Sequence, residues 1–123
     1  MNTKITSYLD LKVWQEGKKL AVLIYILTRS FPKCEQFGLS DQMRRAAVSV
    51  PSNIAEGFGR ASAKEKNQFY YIAKGSLSEL ETQLYIAFDV DYLNKTELDK
   101  LLQQASLTQR LLQGLITANK ERL

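Results

Sequence analysis

The chain has no histidine. That absence removes the commonest general base, the commonest zinc ligand and every catalytic triad built on imidazole. A single cysteine, Cys34, leaves no internal disulfide to form and suits a reducing cytoplasm. No apolar stretch is long: Leu20 to Leu27, eight residues, is the longest strictly apolar run. A bilayer needs roughly 18, so no membrane partner is expected. The first twenty residues lack the apolar core of a signal peptide, because Lys4, Asp10 and Lys12 interrupt them. With only six glycines and two prolines in 123 residues, there is no linker and no low-complexity tract. The expectation is one domain spanning residues 1–123.

Charge is present but unevenly spread. Residues 1–74 hold 12 Lys/Arg against 6 Asp/Glu, net +6, whereas residues 75–123 hold 5 against 7, net −2. A modest basic excess permits nucleic-acid binding without demanding it.

Apolar residues recur at helical spacing in four segments. The first is predicted over Asp10 to Arg29 and stops before Phe31-Pro32, since Pro32 drives Phe31 out of the helical region. Within it, Ala21 to Leu27 is apolar all the way round, and one apolar stripe is all that a surface helix needs. That excess predicts cover by a second subunit, with Leu23, Ile24, Ile26 and Leu27 as interface candidates; which of Ile24 and Ile26 faces out is undecided. The second helix is predicted to start with Ser40 as N-cap and to end around Gly57 to Gly59, with Pro51 kinking or splitting it. Ser62 with Glu65 opens a third helix reaching about Val90, and Asn94 with Glu97 opens the fourth. Short connections make antiparallel neighbours, so the predicted fold is all-α: an antiparallel up-down-up-down four-helix bundle with a proline-kinked second helix.

The centre of the chain is distinctive: Gln42, Arg44-Arg45-Ala46-Ala47, then Ser49-Val50-Pro51-Ser52-Asn53-Ile54-Ala55-Glu56-Gly57. With Leu11-Lys12-Val13-Trp14, Phe31-Pro32 and Ile72 to Gln83, it resembles the bacterial four-helix-bundle family named after reading frames in intervening sequences of 23S ribosomal RNA genes. An older name for that family is ribosomal protein. The resemblance covers nearly the whole chain, and Ser-x-Pro-x-Asn-Ile-Ala-Glu-Gly is its most specific part. It implies a small bundle assembled as a ring-like homopentamer. A related branch, the accessory proteins of diversity-generating retroelements, implies binding to a reverse transcriptase and RNA.

Several residues admit a chemical and a structural reading. Arg45, Ser49, Pro51, Asn53, Glu56 and Gly57, the family motif, are read as structural. Ser49, Ser52 and Asn53 can satisfy the backbone groups that a helical proline frees, and Glu56 can pair with Arg60 four residues on, or with Arg44 or Arg45 across a subunit contact. Glu79 and Glu81 point to different faces, and Asp89, Asp91 and Asn94 lack the glycine turn and terminal glutamate of a calcium loop. No enzyme, metal or cofactor is therefore expected. Tyr70, Tyr71, Tyr85 and Phe88 suit either base stacking or a helical core.

Antiparallel connectivity gathers residues 1–12, 56–68 and 116–123 at one pole with 7 basic and 4 acidic groups, net +3. The other pole, residues 28–41 and 88–100, has 4 basic and 6 acidic groups, net −2. The nucleic-acid-binding candidates are thus Lys4, Lys12, Arg60, Lys64, Lys66, Lys120 and Arg122. The expected function is a cytoplasmic, non-catalytic homo-oligomer that binds nucleic acid, RNA first, through this pole. The alternative is a protein-binding scaffold or an accessory subunit for a nucleic-acid enzyme.

Overall fold

The computed structural model describes residues 4–122. Among them are four long helices and no strand: α1 (Lys12–Thr28), α2 (Leu39–Phe58), α3 (Ala63–Asp89) and α4 (Lys95–Lys120). Each packs against its neighbours in sequence, and α4 closes on α1. The contacts run in opposite senses along α1–α2 and along α3–α4. Arg44 meets Thr28 while Pro51 lies under Gly17, and Asn119 meets Ala63 while Gln113 meets Lys74. Leu20, Ile24, Met43, Ile54, Leu80 and Leu112 form the fully buried centre.

The helix ends show where local sequence decides. Asn94 accepts from the Glu97 amide at 2.8 Å and Glu97 accepts from the Asn94 amide at 2.9 Å, completing a reciprocal cap for α4. Ser62 likewise accepts from the Glu65 amide at 3.1 Å and opens α3. After α3, Asp91 takes φ 66° and the Tyr92 amide donates back to the Ala87 carbonyl at 2.9 Å, a left-handed closure that satisfies an end carbonyl.

Two ends differ from expectation. Asp10 is not in α1: its carboxylate accepts from the Thr6 and Ser7 amides at 3.1 and 3.2 Å and closes a separate 3-10 turn at Tyr8–Asp10. Ser40 is not the cap of α2 but a buried residue of its first turn. Gly38 is the N-cap, and the missing side-chain cap is supplied by Glu35, which accepts from the Leu39 amide at 3.2 Å. The same carboxylate accepts from the Tyr92 hydroxyl at 2.7 Å, tying the α1–α2 connection to the α3–α4 turn. The Tyr92 hydroxyl and the Leu39 amide hold Glu35 below the ordinary carboxylate range, and that bond pushes Tyr92 up.

α2 runs unbroken through Pro51. Asn53 donates to the Ser49 carbonyl at 2.8 Å and to its hydroxyl at 2.9 Å, and the Ser49 hydroxyl also bonds Ser76 of α3 at 2.8 Å. Buried Pro51 faces Gly17, where a Cβ would stand 3.7 Å from the proline nitrogen. The motif thus builds the α1–α2–α3 contact.

A polar pair crosses the α3–α4 seam. Asn119 donates to the Ala63 carbonyl at 2.7 Å and to Asn67 Oδ1 at 2.9 Å, while Asn67 donates to the Ile116 carbonyl at 3.3 Å. Both side chains are buried.

Candidate nucleic-acid interface and assembly surfaces

The end of α2, the start of α3 and the end of α4 converge, with Phe58, Lys66, Tyr70, Asn119 and Arg122 lining a small cleft between them. The predicted basic residues near this tip differ in what engages them. Lys64 and Arg122 are exposed and without an ion-pair partner among the described residues. Lys120 lies 5.6 Å from the ring of exposed Tyr71. Arg60 pairs with Glu56 at 3.3 Å and stacks over Phe69 at 4.4 Å. Lys66 donates to the Phe58 carbonyl at 2.6 Å and covers its ring, so it also caps α2, a task its position in sequence does not advertise. Cations over aromatic rings recur here because a guanidinium or ammonium is drawn to the ring face.

Lys4 and Lys12 stand differently. Lys4 is exposed in the segment preceding the first turn. Lys12 pairs with Glu16 at 3.3 Å, and Glu16 in turn accepts from Gln104 at 3.0 Å. Gln104 precedes Lys120 by about four and a half helical turns, so Lys12 sits on the flank of the bundle. The Gln104 amide is the largest influence holding Glu16 below the ordinary carboxylate range, with Lys12 adding to it.

The α1 interface candidates divide. Ile24 is fully buried and Leu27 nearly so, both in this chain's own core; neither is available to a partner, which corrects the expectation for them. They lie three residues apart, on the stripe of Val13, Gly17 and Leu20, and that stripe faces inward. Leu23 is half-buried against the core, whereas Ile26 is 53% exposed and Val22 is 50% exposed. Val22, Tyr25 and Ile26 join Val48 and Pro51 in an apolar groove between α1 and α2, rimmed by Lys18 and Arg29. Arg44 lies 4.8 Å over the Tyr25 ring and donates to the Thr28 hydroxyl at 2.8 Å. Arg45 pairs with Asp41 at 3.0 Å on the same side.

Further apolar side chains are exposed along α3, at Ile72, Tyr85 and Ile86, and at Val90 just past its end; Glu79 and Asp89 are exposed on the same helix. Of the four aromatic residues with two readings, Tyr70 is core and Phe88 packs against it, while Tyr71 and Tyr85 face out. Among the described residues, no group of three or more His, Cys, Asp or Glu side chains is placed to hold a metal ion. Nor, among the described residues, is any helix long and apolar enough to cross a membrane.

No curated protein matches this chain. One solved structure with the same fold is a protein of unknown function from the S23 ribosomal protein family of Bacteroides thetaiotaomicron. It is 20% identical, has a TM-score of 0.78, and the alignment covers 85% of this chain and 95% of that one. Residues 9–114 match the family described as 23S rRNA-intervening sequence protein. The match takes in all of α1 to α3, most of α4 and the whole Ser49–Gly57 motif, and by it the chain belongs to the family of 23S rRNA-intervening sequence proteins.

Proposed function

We propose that this chain acts in the cytoplasm by assembling and binding, not by transforming a substrate, and that its ligand is nucleic acid, RNA first. The observation that carries the reading is the tip of the bundle, where Lys64, Lys120 and Arg122 are exposed and Lys120 lies against the ring of Tyr71. Ammonium and guanidinium groups engage phosphates without reading bases, and an exposed aromatic ring offers a stacking surface to an unpaired base.

Assembly strengthens the same reading. The α1–α2 groove and the α3 ridge are separate apolar patches on one subunit. The groove is rimmed by Lys18 and Arg29, and the α3 ridge carries Glu79 and Asp89, so the two patches are opposite in charge. Contact between two different patches is head-to-tail, and it makes a ring when the rotation it imposes closes and an open filament when it does not. The family resemblance suggests five subunits. With the bundle axes along the ring axis the subunits run parallel, and the basic tips would then gather on one face and their field would add.

The test is fluorescence anisotropy with a 20-nucleotide RNA across a salt series. Binding should weaken linearly in log salt, by about 0.7 per neutralised phosphate for a single strand. The triple variant Lys64→Ala, Lys120→Ala, Arg122→Ala should flatten that slope by about 2, while Lys33→Ala with Lys95→Ala should change little. Lys66 and Arg60 are left intact because each also holds the α2 end. A wild type with no RNA affinity at low salt would overturn the reading and put the protein-binding scaffold first.

A further inference from the structure

We propose that a second, lateral anion site runs along the groove between α1 and α4 and takes the phosphodiester backbone of a single strand. This rests on the nucleic-acid reading above but not on the basic tip. The groove has a volume of about 550 Å³ and three cations in its walls: Lys19 from α1, and Lys100 and Arg110 from α4. All three are exposed, and none has an ion-pair partner among the described residues. Lys100 belongs by sequence with the acidic pole, yet its acidic neighbours are engaged elsewhere. Asp99 pairs with Lys95 at 2.7 Å, and Glu97 caps α4 through Asn94.

No carboxylate lines the groove itself. Glu97 lines an adjoining hollow with Leu23 and Lys100, where it is engaged by the α4 cap, and Glu16 of α1 is held by Gln104 and Lys12. The exposed Gln103 and Ser106 add neutral donors between the two α4 cations. Lys100 and Arg110 are ten residues apart, about 15 Å along the helix, a span that suits an extended run of charges better than one small anion. Leu23 and Leu107 give the floor an apolar strip against which sugar or base faces can lie.

The groove also differs from the α1–α2 groove in the way that matters for assembly. The cations around the α1–α2 groove are largely spoken for: Arg44 by Thr28 and Tyr25, Arg45 by Asp41, Lys18 by Trp14. The α1–α4 groove shares no lining residue with it and none with the α3 ridge.

The experiment compares three proteins on one labelled 20-nucleotide oligouridylate from 50 to 200 mM salt: wild type, the tip variant already described, and Lys19→Ala with Lys100→Ala and Arg110→Ala. Losing three phosphate contacts should lower the log–log slope by about 2 and the affinity about 100-fold near 0.1 M salt. Helix content and mass in solution should not change, because all three side chains are exposed. Weakening of both variants supports the lateral site. A groove variant that binds like wild type while the tip variant weakens overturns the lateral site and leaves the tip reading standing. A wild type that binds no RNA overturns both. Displacement of the strand by an acidic amphipathic peptide, with higher affinity than the RNA itself, would overturn the assignment of the groove to phosphates.

Discussion

Substituting Gly57 with alanine should destabilise the bundle even though alanine is the better helix former. Gly57 lies in the last turn of α2, where α3 passes close by. A Cβ there would stand 2.7 Å from Tyr70 Cε1, 3.0 Å from the Lys66 carbonyl oxygen and 3.0 Å from Phe69 Cβ. None of these neighbours yields cheaply. Two belong to the backbone or its first side-chain carbon, and the Tyr70 ring is only 2% exposed, so it has nowhere to swing. Overpacking of this kind costs about 1–3 kcal/mol, and three simultaneous close contacts argue for the upper end. The gain in helix propensity is about 1 kcal/mol, leaving a net loss of about 2 kcal/mol and a fall in Tm of roughly 6–10 °C for a chain of this size. Gly114→Ala is the matched control, because an added Cβ there meets nothing within 4 Å. It should stabilise by about 0.5–1 kcal/mol. Urea unfolding followed by far-UV circular dichroism reads both. If Gly57→Ala proves as stable as wild type, the close approach of α2 and α3 is not what glycine serves there.

Ile26→Glu should lower the mass measured by light scattering while leaving helix content intact, since Ile26 faces outward; an unchanged mass would remove α1 from the assembly seam. Ile24→Ala, by contrast, should cost about 2–5 kcal/mol in unfolding experiments, as a buried truncation does. Glu35 is held below its ordinary value of 4.5, so its contribution is present above that pH and is lost as pH falls through the folded value. The stability gap between wild type and Glu35→Ala should therefore close as pH drops below 4.5, and a gap that stays constant down to pH 3 would mean that the ionised carboxylate is not what caps α2.

Legibility in the sequence followed the distance over which each feature is decided. The caps at Ser62 and Asn94 were readable because donor and acceptor lie three residues apart. The Arg60–Glu56 pair was readable for the same reason, one turn of helix. The start of α2 was not, because Glu35 reaches the Leu39 amide from a separate 3-10 turn and Ser40 resembles a cap while belonging to the core. Ile24 and Ile26 were indistinguishable in a stretch that is apolar on every side, and only α2 and α4 decide which way the helix turns. Lys66 reads as one more exposed cation until its bond to the Phe58 carbonyl, across the turn, is seen. The α1–α4 groove has no local signature, since Lys19 and Arg110 come together only once the last helix has closed on the first.

The buried pair of Asn67 and Asn119 has a consequence for alignment. Apolar side chains along the α3–α4 seam are largely interchangeable, so that sliding one helix by a turn, about 5.4 Å, would trade one set of aliphatic contacts for another. Three directional bonds of 2.7, 2.9 and 3.3 Å would not survive that slide. It would strand two buried amides, each unsatisfied polar group costing about 1–3 kcal/mol. The asparagines therefore act as a vernier, separating the correct register of α3 on α4 from its nearest competitors by an energy that aliphatic packing alone would not supply. They also fix the height at which the end of α4 stands beside the start of α3.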